Sequence, residues 1–198
     1  MSRRDRTPAV ILAGGLSRRM GGVDKGLLVL GGGTVLSAIL ERLAPQAEPI
    51  ALNANGDPRR FDALSLAVLP DPVEGRPGPL AGILAAMDWA AGLGASEVLT
   101  VPGDAPFLPR DLVRRLGEAG APALAASGGR PHPVVGLWPV TLRSALRADL
   151  AAGLRRVEAF AQAQGAISVA FPAEPGGPDP FLNLNTLDDL AEARRWLP

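Results

Sequence analysis

The pattern of apolar and polar positions changes its period repeatedly along the chain. Short continuous apolar runs such as AVILA at 9–13 are typical of strands that are covered on both faces of a sheet. Stretches with apolar residues three or four positions apart, such as 34–45, predict amphipathic helices, and there Thr34 supplies a cap and Pro45 a stop. The predicted strands are 9–13, 49–53, 66–70, 97–102, 122–126, 133–139, 166–171 and, briefly, 181–185, and the predicted helices are 34–45, 79–91, 109–120, 140–153, 155–165 and 186–197.

The alternation of strands and helices predicts the fold class. It is typical of a three-layer α/β protein in which a mostly parallel (mixed) central sheet carries helices on both faces. The 198 residues contain no internal repeat and no linker long enough to separate two domains. We therefore expect a single domain over 1–198.

Polar groups follow four successive predicted strands at the point where each strand ends. A loop rich in glycine and basic residues follows the first strand, Asn53 ends the second, Asp71 follows the third, and Asp104 follows the fourth. Each of these residues alone is ordinary turn or helix-cap chemistry. Because ligands of such sheets bind beyond the carboxyl ends of the strands, the coincidence of all four indicates a functional site.

The loop between Ala13 and Thr34 suits a polyanion such as a triphosphate. Its glycines let backbone N–H groups turn toward a ligand, and Arg18, Arg19 and Lys25 add positive charge. Lys25 is the only lysine among 20 basic residues. An ammonium is a more compact charge than a guanidinium, which favours a fitted role at a phosphate over a solvated surface lysine. The loop matches neither the P-loop signature nor the GxGxxG signature of dinucleotide-binding proteins.

The composition excludes several classes of function. The formal net charge is zero and no basic tract stands out, which argues against a nucleic-acid-binding face. The chain has no cysteine, so thiolate catalysis, disulfides and cysteine-based metal sites are excluded. The apolar run at 9–13 is too short for a signal peptide, and Asp88 interrupts the most apolar helix. We expect no membrane segment and a cytoplasmic location.

The glycine-rich loop and six later segments together resemble one known family. AGGLSRRMGGVDKG (13–26) is similar to the signature loop of nucleotidyltransferases that act on molybdopterin. NAN, LPDPVEGRPGPLAG, VPGDAPFLP, HPVVGLW, GLRRVEAF and FLNLNTLDDL follow in the order seen in molybdenum cofactor guanylyltransferases, the MobA family. The resemblance covers nearly the whole chain and implies a Rossmann-like nucleotidyltransferase fold. Leu187 departs from the proline that the family favours there, which affects only the start of the last helix.

The resemblance implies a specific reaction. The terminal phosphate of molybdopterin, or of its molybdenum-loaded form, attacks the α-phosphorus of GTP, pyrophosphate leaves, and a guanine dinucleotide form of the cofactor results. This chemistry needs no covalent enzyme intermediate, which fits a chain with no cysteine and one histidine. Three alternatives stay open at this point: a cytidylyltransferase for the same cofactor, a sugar-1-phosphate nucleotidyltransferase, and a non-catalytic nucleotide-binding regulator.

The resemblance also implies roles for particular residues at the nucleotide. Lys25 would neutralise charge that develops on the α-phosphate, and Asp104 would bind Mg²⁺, which takes few carboxylates beside phosphate oxygens. Asn53 and Asp71 would lie on the guanosine side. The expected GTP-binding residues are Leu12, Ala13, Gly14, Gly15, Lys25, Asn53, Asp71 and Asp104. Residues 9–108 would bind the nucleotide and 109–198 the acceptor.

The residues expected to bind the acceptor each have a structural alternative. They are Arg19, His132, Arg155, Arg156, Asn183 and Asn185. Arg155 and Arg156 could clamp the pterin phosphate or be a solvated pair, Asn185 could cap the last helix, and His132 alone suits a structural role. GTP and molybdopterin or Mo-molybdopterin are the expected partners. Other cofactor-biosynthesis proteins and client molybdoenzymes are further candidates, and we expect a monomer.

Overall fold

Seven strands form one central sheet in the computed structural model of the protein, which describes residues 6–14, 24–75 and 78–196. The strands are β1 (Ala9–Leu12), β2 (Val29–Leu30), β3 (Gly33–Thr34), β4 (Ile50–Asn53), β5 (Ala67–Leu69), β6 (Glu97–Pro102), β7 (Ala123–Ser127), β8 (Arg130–Pro139) and β9 (Ile167–Ala170). The order in the sheet is β5-β4-β1-β6-β8-β7-β9, and β2 and β3 form a separate antiparallel hairpin. All sheet strands run parallel except β8, which is antiparallel to β6 and β7. The predicted mixed, mostly parallel sheet is confirmed.

Helices cover both faces of the sheet. They are α1 (Val35–Leu43), α2 (Pro79–Gly92), α3 (Leu112–Ala119), α4 (Arg143–Ala151), α5 (Val157–Ala163) and α6 (Leu187–Ala193), with 3-10 helices at Lys25–Leu27, Pro58–Leu64, Val140–Leu142 and Arg194–Trp196. One apolar cluster joins α1, α3 and α6 to the sheet, and the other joins α2, α4 and α5 to it. In β1, the buried Ile11 belongs to the first cluster and its neighbour Val10 to the second, as the alternation of a strand requires. The predicted three-layer α/β class is therefore confirmed.

The start of α1 follows the local rule that the sequence indicated. Thr34 accepts a hydrogen bond from the backbone N–H of Ser37, and the Ser37 hydroxyl accepts one from the Thr34 N–H. This reciprocal cap satisfies two donors that the first helical turn leaves unpaired. It fixes α1 directly behind the hairpin, with Leu36 buried beneath the loop that carries Lys25.

Several boundaries differ from the sequence-based predictions. The stretch 13–34 is not all loop, because it contains a 3-10 turn and the β2–β3 hairpin. Residues 181–185 are not a strand, and α5 begins at Val157, with Arg156 as its N-cap, instead of at 155. Within the described residues, no helix combines the length and apolar character needed to cross a membrane.

Candidate active site

The carboxyl ends of four parallel strands lie in register at one edge of the sheet. Leu12 pairs with Asn53 on one side and with Pro102 on the other, and Asn53 pairs with Leu69. The ladder continues one residue further, since the N–H of Ala13 donates to the Asn53 carbonyl and that of Gly103 donates to the Leu12 carbonyl, both at 2.9 Å. The residues that follow these strands consequently meet at one place, as the sequence predicted.

A cleft of about 470 Å³ opens at this edge. Its lining includes most of the residues expected to contact GTP: Leu12, Ala13, Gly14, Lys25, Asn53, Asp71 and Asp104. Asn183 also lines it, from the segment before α6. Gly15 and Arg19, which were also expected to bind substrates, lie outside the described residues. The cleft has the size that a small-molecule ligand needs.

Lys25 and Asp104 face each other across one end of the cleft. Lys25 Nζ lies 3.8 Å from Asp104 Oδ2 and donates a hydrogen bond of 2.7 Å to Asn185 Oδ1. Lys25 is held there because Gly26 packs directly on α1, where a Cβ atom would come within 2.6 Å of Leu36 Cγ. The Lys25 ammonium thus lies between the end of β6, through Asp104, and the C-terminal segment, through Asn185.

Burial raises the pKa of the Asp104 carboxyl, and the positive charge of Lys25 opposes that rise only in part. The other two aspartates that line the described part of the cleft are better satisfied. Asp24 pairs with Arg60 at 2.7 Å, and Asp71 accepts hydrogen bonds from two amide side chains. Of these three carboxylates, that of Asp104 is therefore the most available to bind a cation. In the described ranges, no group of three or more His, Cys, Asp or Glu side chains could hold a metal by itself.

A network of amides orients the opposite end of the cleft. Asn53 Nδ2 donates to the Leu69 carbonyl and to Asp71 Oδ1, both at 3.0 Å. Asn55 Nδ2 donates to Asp71 Oδ2 at 2.7 Å, and its Oδ1 accepts from the Asp71 N–H at 3.0 Å. With both donors of Asn53 committed, its Oδ1 is left as an acceptor at the cleft, beside Gly14 and Gly82.

Gly82 in α2 leaves the space that the Asn53 amide occupies. A Cβ atom at this position would come within 2.4 Å of Asn53 Oδ1. We expect Gly82→Ala to displace the amide and to destabilise the protein by about 1–3 kcal/mol, although alanine favours helices more than glycine does. Gly92→Ala, in the same helix with no atom within 4 Å, is the matched control and should be neutral or stabilising. Urea unfolding of both variants tests this, and equal stabilities would contradict it.

The C-terminal segment before α6 is tied to the sheet by a chain of half-buried hydrogen bonds. Ser127 Oγ donates to Asp179 Oδ2 and lies 2.7 Å from His132 Nε2, while Asp179 Oδ1 accepts from the Phe181 N–H. The His132 ring also packs on Phe181, with 4.7 Å between centroids. Because the Ser127 hydrogen goes to Asp179, the hydroxyl must accept from His132 Nε2–H. This gives His132 a structural role, and burial lowers its pKa.

The other expected acceptor-binding residues fall into two groups. Asn183 lines the cleft and Asn185 contacts Lys25. The alternative that Asn185 caps the last helix is wrong, because Thr186 is the N-cap and forms a reciprocal cap with Asp189. Arg155 donates to the carbonyls of Leu150 and Leu154 behind α4, and neither Arg155 nor Arg156 is among the described residues lining the cleft.

Sequence reasoning missed several residues that organise the site. Asn55 and Arg60 hold the cleft residues Asp71 and Asp24 without being expected to do so. Ser127 and Asp179 were likewise not expected to hold the segment that leads to Asn183. The only signal for Asn55 was its place in the NAN segment. Arg60 lies in a short polar turn with no periodic pattern, so its contacts are visible only in three dimensions.

The fold and the cleft are those of a nucleotidyltransferase, since Gly14, Lys25 and Asp104 meet where the parallel strands end. The family described as MobA-like NTP transferase domain matches residues 9–167. A solved structure described as molybdopterin-guanine dinucleotide biosynthesis protein A from Archaeoglobus fulgidus has a TM-score of 0.72 and 22% identity, covering 96% of this chain and 97% of that one. That likeness shows the fold.

Closer relatives identify the family within this class. A protein named molybdenum cofactor guanylyltransferase from Bradyrhizobium sp. (strain ORS 278) is 53% identical over 196 residues, which cover 95% of this chain and 92% of that protein. One of the same name from Mesorhizobium japonicum is 52% identical over 203 residues, with 98% and 97% covered. This chain belongs to the MobA-like NTP transferase family, among the molybdenum cofactor guanylyltransferases. The resemblance noted in the sequence is confirmed.

Proposed function

We propose that this protein transfers GMP from GTP to the terminal phosphate of molybdopterin and releases pyrophosphate. A phosphate oxygen of the acceptor forms a bond to the α-phosphorus of GTP, and the bond from that phosphorus to the pyrophosphate oxygen breaks. The relatives named guanylyltransferase favour this reaction over cytidylyl transfer, sugar-1-phosphate chemistry or a regulator without activity. The observation that carries the proposal is the placement of Lys25 and Asp104 together at one end of a nucleotide-sized cleft.

Lys25 acts in this proposal on charge that develops during the transfer. Its ammonium is held by Asn185 and Asp104 before substrate binds, so it needs little reorganisation to meet an α-phosphate oxygen. Its side chain is 23% exposed, so water screens the charge less than it would on an open surface. Lys25 thereby stabilises the transition state more than the ground state.

Asp104 is proposed as the ligand for Mg²⁺. Magnesium commonly binds through one or two carboxylates, several waters and the substrate phosphates. The one carboxylate left available by the described lining of the cleft, that of Asp104, fits this mode of binding. When bound, the ion would neutralise negative charge on the phosphates. Asp104 is fixed for this role because its backbone carbonyl accepts a hydrogen bond from the Leu184 N–H at 2.9 Å.

The acceptor is proposed to approach from the side of the C-terminal segment. Asn183 and Asn185 lie there, and the bond from Lys25 Nζ to Asn185 Oδ1 connects that segment to the nucleotide loop. The amide groups of these residues suit a phosphate or a pterin edge. Arg19, Arg155 and Arg156 as acceptor ligands, a monomeric state, a cytoplasmic location, and client molybdoenzymes or other biosynthesis proteins as partners stay predictions.

The choice of guanine is the first consequence that can be measured. Guanine presents N1–H and N2–H donors, and Asn53 Oδ1 is an acceptor whose direction is fixed by the two bonds of its Nδ2. We expect calorimetry to show GTP binding more tightly than CTP. Tighter binding of CTP would contradict the assignment. Inosine triphosphate, which lacks the 2-amino group, is the matched control and should bind with intermediate affinity.

A further inference from the structure

Arg60 is not among the described residues that line the cleft, but it contacts the lining residue Asp24 and also Asn55, which holds the lining residue Asp71. It lies in the 3-10 helix Pro58–Leu64. Its Nε is 2.7 Å from Asp24 Oδ2, and its Nη2 donates to the Asn55 carbonyl, also at 2.7 Å. Its guanidinium carbon lies 4.7 Å from the centroid of the buried Phe61 ring. One side chain therefore spans two segments that are far apart in the sequence.

Through Asp24, Arg60 holds the start of the turn that contains Lys25. Asp24 immediately precedes Lys25, and its carbonyl accepts the N–H of Leu27 at 3.0 Å, which closes the 3-10 turn that contains Lys25. The Arg60 guanidinium is therefore attached to the residue that starts this turn. A shift of Arg60 must move Asp24 or break the ion pair.

Through Asn55, Arg60 is connected to the residues proposed to bind the nucleoside, Asp71 and Asn53. Asn55 holds Asp71 by two hydrogen bonds, and Asp71 in turn holds the amide of Asn53. Arg60 fixes the backbone of Asn55 through its carbonyl. The contacts thus form a continuous chain from Asn53 through Asp71, Asn55 and Arg60 to Asp24, next to Lys25.

The exposure of the ion pair distinguishes it from an ordinary surface contact. The neighbouring pair Arg59–Asp57 has side chains that are 82% and 52% exposed, and pairs of that kind contribute little. Arg60 and Asp24 are only 31% and 25% exposed. Because Arg60 also holds a carbonyl and an aromatic ring, its geometry is restricted by three partners at once.

We propose that Arg60 is a positioning residue that couples the nucleoside end of the cleft to the placement of Lys25. The inference rests on the proposed function and deepens it, because recognition of the base then supports the group that acts on the α-phosphate. A nucleotide that disturbs Asn53 and Asp71 disturbs Lys25 through the same contacts.

A thermodynamic cycle tests the coupling. Turnover by steady-state kinetics and GTP affinity by calorimetry are both measured for Asp24→Asn, Asn55→Ala and the double variant, first in the wild-type background and then in Arg60→Met. Arg59→Met is the matched control background, since it removes a neighbouring charge from the same helix that pairs with Asp57 instead of a residue of the cleft lining. Arg60→Gln replaces Arg60→Met if circular dichroism shows the latter unfolded.

The expected result is a difference between backgrounds. With wild-type Arg60, and equally with Arg59→Met, the turnover of the double variant should depart by at least about fivefold from the product of the single effects on turnover. In Arg60→Met, the effects should multiply to within about twofold. Equal coupling in all backgrounds, or coupling in none, would overturn the proposal. If wild type prefers another nucleoside triphosphate, that result overturns the proposed function, and the cycle run with that nucleotide still decides the coupling. A wild type that binds none, or that binds nucleotides but transfers none, overturns both.

Discussion

Asp104→Asn should lower turnover at least about 100-fold, the scale for removal of one electrostatic stabiliser. The substitution keeps the shape of the side chain and the backbone carbonyl that holds Leu184, but it removes the charge that we propose binds Mg²⁺. Nucleotide affinity measured without metal should change much less. Asp111→Asn, at an aspartate that is 42% exposed and pairs with Arg114, is the control and should retain its activity. Turnover of Asp104→Asn within a few-fold of wild type would mean that Asp104 is only a turn residue.

The same Asp104→Asn substitution should not lower the stability of the protein. The pKa of Asp104 is raised by burial, so the folded state binds its proton more tightly than the unfolded state does. That contribution to stability is present at low pH and is lost as the pH rises through the raised pKa, because the charged form is poorly solvated in the folded protein. Asparagine removes this cost. We therefore expect Asp104→Asn to unfold at neutral pH no more easily than wild type, so that its loss of turnover reports function and not misfolding.

Lys25→Arg should bind GTP within roughly tenfold of wild type, about 1.4 kcal/mol, yet lose most of its turnover. The net charge is unchanged, which preserves ground-state attraction for the triphosphate. The planar guanidinium is larger than the ammonium and cannot place one donor at the same point, between Asn185 Oδ1 at 2.7 Å and Asp104 Oδ2 at 3.8 Å. The close packing of Gly26 on Leu36 leaves the turn little freedom to retreat.

Steady-state kinetics on Lys25→Arg and Lys25→Ala decide between a fitted charge and a general one. If catalysis needs the ammonium at its particular position, both variants should have similarly low turnover, because an interaction made mainly in the transition state affects turnover more than binding. Near-normal turnover of the arginine variant would show that any cation suffices. In that case the single lysine of this chain would be an accident of its composition.

The sheet and its functional edge could be predicted because both depend on local patterns. Continuous apolar runs marked the buried strands, and parallel strands necessarily bring their carboxyl ends to one edge. Asn53, Asp71 and Asp104 therefore share a cleft, as expected from their positions directly after strands. The cap of α1 at Thr34 was also predictable, since it depends on residues three positions apart.

The features that could not be predicted depend on contacts between distant segments or on very short elements. Strands β2 and β3 have two residues each, too few to show a period. In the FLNLN segment apolar and polar residues alternate as they do in a strand, but its backbone does not pair with the sheet. Instead, the Phe181 N–H donates to the Asp179 side chain, and the Leu184 N–H donates to the Asp104 carbonyl. Thr186 rather than Asn185 became the helix cap, which freed the Asn185 amide for Lys25.

The most direct test of the proposed reaction is the mass of its product. Wild-type protein is incubated with Mg²⁺, molybdopterin and equal concentrations of GTP, CTP and ATP, and the masses of the products are measured by mass spectrometry. The account predicts the guanine dinucleotide of molybdopterin, formed together with one pyrophosphate per molecule. A cytosine dinucleotide as the main product, or bound GTP with no dinucleotide at all, would contradict it.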